Sequence, residues 1–334
     1  MERFGTHRSL EPPGVLPQQA DRLDATSPLR PDEVAISVDM INVDSASWRQ
    51  VRETCDDDRD AMCDYILGIV RERGKLHNPV TGSGGMLIGT VSELGSHRRE
   101  PEIGSRIATL VSLSLTPLVL DEISHLDVAS ERVAVKGRAI LSGSAIYAHV
   151  PDDLPEDVVL SALDVCGAPA WMAKLAGAGD RVVVIGAGGK SGMLACVQAH
   201  KIVGTSGRVL GICWPPETAA TAEAAGAEAV PVDATDPMSV AEAVADAFQG
   251  QLADLVFVCS NVPGCEGGAI ACCEDDGRVV FFSMATSFPA AALIAEGLGK
   301  ACELTIGNGY VPGHAELALD LVRDHPKLKE ALLR

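Results

Sequence analysis

The sequence is short of positive charge. Lys and Arg number 27 against 46 Asp and Glu, giving a formal net charge of −19. Phosphate backbones and anionic lipid surfaces are held by clustered Lys and Arg, so nucleic-acid binding and membrane docking are excluded as partners. Long apolar runs are also missing. The best candidate, Ile107 to Leu120, is interrupted by Thr109, Ser112, Ser114, Thr116 and Pro117, whereas a membrane-spanning helix needs about 20 apolar residues. The opening MERFGTHRSL has no apolar core of a secretory leader. The ten cysteines form no CxxC pair, and Cys166, Cys196, Cys213 and Cys259 sit in apolar runs as reduced core residues. These absences point to a cytoplasmic protein. What is present, 47% hydrophobic and 22% charged residues over 334 positions, suffices for two folded domains. The acidity suits a cationic substrate, and it is also a common solubility trait.

The chain changes texture near Asp152. Before it, Val34, Ile36 and Val38 alternate with Ala35, Ser37 and Asp39 as a strand does. The stretch CDDDRDAMCDYILGIVRERGKL reads as a helix with acids in its first turn and Gly74 at its stop. A glycine-rich turn, HNPVTGSGGMLIGTV, follows, then strands near Arg106–Leu113 and Leu118–Leu120. Residues 1–150 are therefore expected to be β-rich. After it, strands and helices alternate: a helix over 155–175, then strands RVVVIG, RVLGIC, DLVFVCS and RVVFFSM with helices between them. Apolar strands without alternation, joined by helices, predict an α/β, doubly wound parallel sheet covered on both faces, over 151–289. Residues 290–334 add a helix, the strand Glu303–Ile306 and a further helix, expected to complete the two domains.

The most specific motif is RVVVIGAGGKSGM. A buried strand runs into Gly186, Gly188, Gly189 and Gly192, and a helix follows at once. One glycine serves the tight turn, another the approach of a pyrophosphate, and a third the packing of helix on strand. The helix N-terminus then offers N–H groups to the phosphates, with Lys190 and Ser191 as further donors. This is the pattern of a dinucleotide site, for NAD or NADP. The second strand ends Gly211, Ile212, Cys213, Trp214, without the acid that grips an adenosine ribose and without a following arginine. The residues leave the choice between NAD and NADP open. Ser260 and Asn261, after strand DLVFVCS, are placed to face the nicotinamide ribose, or to form a polar turn.

A cofactor domain preceded by about 150 β-rich residues resembles the medium-chain dehydrogenase/reductase superfamily. The resemblance implies a GroES-like first domain. Zinc members of that superfamily carry an early Cys and a Gly-His-Glu; here the corresponding stretches read INVDSAS and GSGGMLIGTV, with Gly84 and Gly89 keeping the glycine spacing, and residues 64–165 hold no cysteine. A metal-free enzyme is expected. Segments GTHRSLEPPGVLPQQADRLD, INVDSASW, GKLHNPVTGSGGMLIGTV, VIGAGGKSGMLAC and IGNGYVPGHAELALDLVR together resemble the L-erythro-3,5-diaminohexanoate dehydrogenase family within that superfamily. That resemblance implies oxidative deamination of (3S,5S)-3,5-diaminohexanoate to 5-amino-3-oxohexanoate, with release of ammonia and a reduced nicotinamide. A zinc-free quinone or enoyl-thioester reductase is the alternative, and a nucleotide-binding relative without catalysis a third reading.

Deamination needs a base that titrates near neutral pH, and His77 in the LHNPVTGSGG loop is of that type. The second substrate ammonium needs a carboxylate, and the resemblance places Asp44 of INVDSAS in the cleft; Asp44 followed by Ser-Ala-Ser-Trp also reads as a helix cap. Lys75, Thr81, Ser83 and the Gly82–Gly85 backbone are candidates for the substrate carboxylate. Asn308, Tyr310 and His314 form a second cluster, with Tyr310 bordering the substrate and His314 opening a helix. Cys272-Cys273 is a vicinal pair in an expected helix. A homodimer is expected through the edge strand Glu303–Ile306, as superfamily members commonly pair.

Overall fold

The computed structural model describes residues 2–80, 82–128, 130–307 and 309–333. The chain divides into two compact units at Leu160/Ser161. The first unit holds a short ribbon of β1 (Ser9–Glu11) and β2 (Arg22–Leu23), and a six-stranded antiparallel sheet. The sheet strands are β3 (Val34–Asn42), β4 (Met86–Leu94), β5 (Arg106–Thr109), β6 (Leu118–Asp127), β7 (Arg132–Leu141) and β8 (Tyr147–His149), in the order β6-β7-β3-β4-β5-β8. Two helices interrupt it, α1 (Ser45–Thr54) and α2 (Arg59–Arg73). α2 starts where Asp58 accepts the Ala61 amide and stops at Gly74, whose φ of 62° ends the helix. Its apolar stripe, Met62, Ile66, Ile69 and Val70, joins Val34, Ile36, Val38, Ile41 and Val43 in the core.

β3 carries the feature that positions the site. Its pairing with both neighbours slips between Val38 and Met40. Before the slip, even-numbered residues face the core (Val34, Ile36, Val38); beyond it, Ile41 and Val43 do. A bulge of one residue exchanges the two faces of a strand. Asn42 and Asp44 are thereby turned away from the apolar cluster.

The expected boundary at 150 falls ten residues later. Arg106 bonds Glu156, and Arg132 donates to the Asp157 carbonyl at 3.0 Å, so the segment after β8 belongs to the first unit. The helix expected over 155–175 is two, α3 (Glu156–Asp164) and α4 (Gly167–Leu175), bent by 48°. No single helix among the described residues is long and apolar enough to cross a membrane.

The second unit is a parallel sheet of β9 (Arg181–Ile185), β10 (Arg208–Cys213), β11 (Glu228–Pro231), β12 (Ala253–Val258), β13 (Cys273–Phe281) and β14 (Glu303–Ile306), in the order β11-β10-β9-β12-β13-β14. Helices α5 (Lys190–Val203), α6 (Ala219–Ala224), α7 (Pro237–Ala247), α8 (Glu266–Ala271) and α9 (Phe288–Leu298) connect the strands. α10 (His314–Asp324), which His314 opens as expected, and a further helix, α11 (Pro326–Leu332), follow. The central strands are buried (Val182 to Ile185, Val256 and Phe257 are 0% exposed), as a sheet covered on both faces requires, whereas the edge strands β11 and β14 are partly exposed. Residues 290–333 belong wholly to this unit: β14 adds to β13 in register, Arg278 opposite Glu303. Cys272 ends α8 and Cys273 opens β13, so the vicinal pair is not helical.

Candidate active site

In the second unit, strand order reverses between β9 and β12, which places a crevice at their C-terminal ends. The glycine turn lies there. Gly186 adopts φ 80°, and a Cβ on it would stand 2.8 Å from the Ser260 amide nitrogen. A Cβ on Gly188 would meet Thr218 Cβ at 2.6 Å, and one on Gly192 would collide with the Gly186 carbonyl. Three glycines are thus explained by the protein's own packing. Gly189 is not: it is exposed, and a Cβ there would find only the Gly186 carbonyl, at 3.5 Å. It is also the N-cap of α5, extended and without a side-chain cap. A cradle open to solvent at the one glycine that packing does not require, under uncapped amides, fits a pyrophosphate. Lys190 and Ser191 flank it, both partly exposed.

Ser260 follows β12 and accepts the Val262 amide through its hydroxyl; Asn261 is exposed and accepts from the Ser283 hydroxyl at 3.3 Å. Ser283, just past β13, is 6% exposed. The sequence reading passed over it because that reading runs the strand three residues too far. Cys213, the last residue of β10, is buried, and Trp214 after it is exposed. The nearest arginine, Arg208, is committed to Glu228.

The first unit carries the other candidates. Asp44 caps α1: its Oδ1 accepts the Ser47 amide at 3.0 Å, while its Oδ2 is buried with no partner. The cap reading of Asp44 is thus met by Oδ1. The loop after α2 closes through Asn78 and Ser83, whose carbonyl accepts the Asn78 amide, and Gly85 packs so tightly on Asn42 that a Cβ there would collide with the Asn42 carbonyl and stand 2.9 Å from the Asp44 nitrogen. His77 is half-buried; its Nε2 faces Gly82 and its Nδ1 is buried without a partner. Burial lowers the His77 pKa, helped by the positive charges of Lys75 and Arg73, which favours the neutral, proton-accepting form of the ring.

Lys75 corrects an expectation. It is 0% exposed, and its Nζ donates to the Pro17 carbonyl at 2.8 Å, so it presents no cation to a substrate. Burial, with Arg73 adding repulsion, brings its pKa down to about 8. Gln18 extends the same tie, donating to the Gly82 carbonyl and accepting from Ser114. Thr81 and Asn308 lie outside the described residues. Tyr310, in the second unit, is exposed and stands edge-on to His314 at 5.1 Å between ring centres; His314 is 6% exposed, and burial lowers its pKa.

A β-rich unit followed by a parallel-sheet unit with this glycine turn defines a two-domain dehydrogenase of the medium-chain dehydrogenase/reductase class. The fold is similar to that of a quinone oxidoreductase of Pseudomonas syringae (TM-score 0.59, 16% identity, covering 92% of this chain and 87% of that one) and to an alcohol dehydrogenase of Thermotoga maritima (TM-score 0.59, 16% identity, 92% and 86%). Residues 192–305 match the zinc-binding dehydrogenase family and residues 7–151 the L-erythro-3,5-diaminohexanoate dehydrogenase N-terminal domain. Full-length relatives carry the same name: one from Acetoanaerobium sticklandii is 46% identical (96% of this chain, 95% of the relative), and one from Fusobacterium nucleatum is 44% identical (98% and 96%). The chain belongs to the L-erythro-3,5-diaminohexanoate dehydrogenase family. Among the described residues no three His, Cys, Asp or Glu side chains gather as a metal site.

Proposed function

We propose that the protein oxidatively deaminates 3,5-diaminohexanoate with NAD or NADP and without a metal. The observation that carries this reading is the 46% identity over nearly the full length of a relative bearing that name. The sites add chemistry in support. Gly186, Gly188, Gly189 and Gly192 with the α5 amides, Lys190 and Ser191 hold the dinucleotide, and Ser260 and Asn261 its ribose. The bound nicotinamide supplies a hydride acceptor for C3. His77, kept neutral by burial, takes a proton from the 3-ammonium so that C3 can release hydride. Once that proton has passed to solvent, the neutral ring takes a proton from the water that adds to the substrate iminium and returns it to the amine nitrogen, which leaves as ammonia while the carbonyl forms. The Asp44 Oδ2 holds the C5 ammonium. Ser83, Thr81 and Tyr310 remain candidates for the rest of the substrate. A cytoplasmic setting suits ten free thiols.

A homodimer is part of the proposal. β14 is the outer strand of its sheet, and α9 beside it is apolar yet exposes Phe288 (44%), Leu293 (68%) and Leu298 (50%). Such a face next to an open strand edge suits an isologous sheet extension. Light scattering on the wild type and on Leu293→Asp tests it; a monomeric wild type would overturn it.

The reaction is tested by following absorbance of the reduced nicotinamide with the diamino acid and each cofactor, paired with an ammonia assay. Equal yields of the two products are expected. Cofactor binding without turnover, together with reduction of quinones or enoyl thioesters, would replace the reading with the alternative.

A further inference from the structure

Asn42 is the side chain that the mechanism leaves unused. It is 0% exposed, and both its Nδ2 and its Oδ1 lack a partner, the one side chain among the described residues with two such atoms. An amide buried this way costs free energy at both ends unless something meets it. The β3 bulge is what turns it, with Asp44, off the apolar core. An isoleucine or leucine there would be the stable choice for a strand, so the amide asks for a guest.

The guest's chemistry follows from the two orphan atoms. A primary amide presents a donor and an acceptor side by side. A β-amino acid presents the complement: a carboxylate at C1 and an ammonium at C3, close enough to meet one amide. Asn42 and Asp44 are two residues apart on extended chain, about 6.6 Å. That spacing suits a substrate whose next cation sits at C5. Asp44 has an unpartnered, buried oxygen to receive it.

We infer that Asn42 is a third substrate-binding residue, its amide gripping the C1 carboxylate and the 3-ammonium of a β-amino acid while Asp44 takes the C5 ammonium. This rests on the reaction proposed above and specifies how the same site selects its substrate.

The test uses the full chain with Asn42→Leu, which keeps volume and removes both polar atoms, and Asn42→Ser, which removes the amide without adding bulk. kcat/KM is measured for 3,5-diaminohexanoate and for its C1 carboxamide. The wild type should prefer the acid, and each variant should lose about 10–100-fold on the acid, mainly through KM, bringing the two substrates close together. Asn42→Leu should melt at or above the wild-type temperature, because an unsatisfied amide is gone. An unchanged acid-to-carboxamide ratio, an equal loss on both substrates with a lower melting temperature, or a loss of NAD(P) affinity alone would each overturn the inference. Calorimetric titration with 3-aminobutanoate separates it from the reaction itself. Binding to the wild type but not to the variants upholds the Asn42 assignment even if no ammonia is released, and equal binding or none overturns it.

Discussion

The two units meet ligand chemistry in opposite ways. In the second, the glycine turn is backbone throughout: the roles of Gly186, Gly188 and Gly192 are steric, and the binding proposed above falls to the α5 amides. In the first, the work falls to side chains, and Asp44 Oδ2, His77 Nδ1 and the Asn42 amide are left buried and unmatched. A backbone cradle recognises a group that all dehydrogenases of this kind share. Unmatched side chains cost stability and are retained where a particular substrate repays it.

Breaking the side-chain half should have the largest effect. His77→Ala should lower kcat by about 10²–10⁴-fold while NAD(P) affinity, measured by fluorescence titration, stays unchanged. Because burial and the neighbouring cations lower the His77 pKa, kcat/KM of the wild type should fall only below about pH 6.5. A parallel loss of cofactor affinity would show that the two halves are not separate.

Lys75 sharpens the comparison from the stability side. Its folded pKa of about 8 lies below the ordinary 10.5, so its charged form is disfavoured in the fold. The penalty is absent above the ordinary pKa, grows as pH falls towards 8, and is complete below that. Lys75→Met should therefore stabilise the protein by about 3 kcal/mol at neutral pH, with the gain fading between pH 8 and 10.5. Removing this cation should also move the acid limb of kcat/KM to higher pH, by less than burial contributes. Urea melts across pH and a pH–rate profile check both.

On the backbone side, Gly192→Val drives a side chain into the Gly186 carbonyl. Cofactor affinity should fall about 10–100-fold, with binding of the diamino acid alone retained in calorimetry. The smallest effect is expected of Asp44→Asn, since Asn also caps helices. Its melting temperature should match the wild type, whereas KM for the diamino acid should rise about 10-fold. Asp44→Ala should lower the melting temperature and raise KM.

Local patterns were legible in the sequence; long-range closure was not. The strand, glycine turn and helix around Gly186 follow from residues that touch one another, and so does Asp44 as the cap of α1. Lys75 misled because its environment is set by Pro17, 58 positions earlier. An exposed-looking lysine after a helix carries no sign of that. The slip in β3 is equally silent, since VAISVDMIN alternates well enough up to Val38 and the bulge follows from pairing with β4 and β7. Ser283 went unforeseen for the same reason, because the end of β13 is fixed by β14 and β12. The break between α3 and α4 at Val165 and Cys166 lies between Asp164 and the Gly167 and Pro169 of the first turn of α4, breakers that the apolar pattern on either side outweighs.

The opening of the chain has a further meaning. Arg8 is 2% exposed, with its guanidinium donating to Glu33 at 2.8 Å and to the carbonyls of Ser27 and Pro28, and His7 meets the same carboxylate. These first residues are a plug rather than a tail. During synthesis the plug emerges before its socket, and Glu33 is already countered when β3 forms. Trimming through Arg8 strands the Glu33 carboxylate inside the first unit with neither His7 nor Arg8 to meet it.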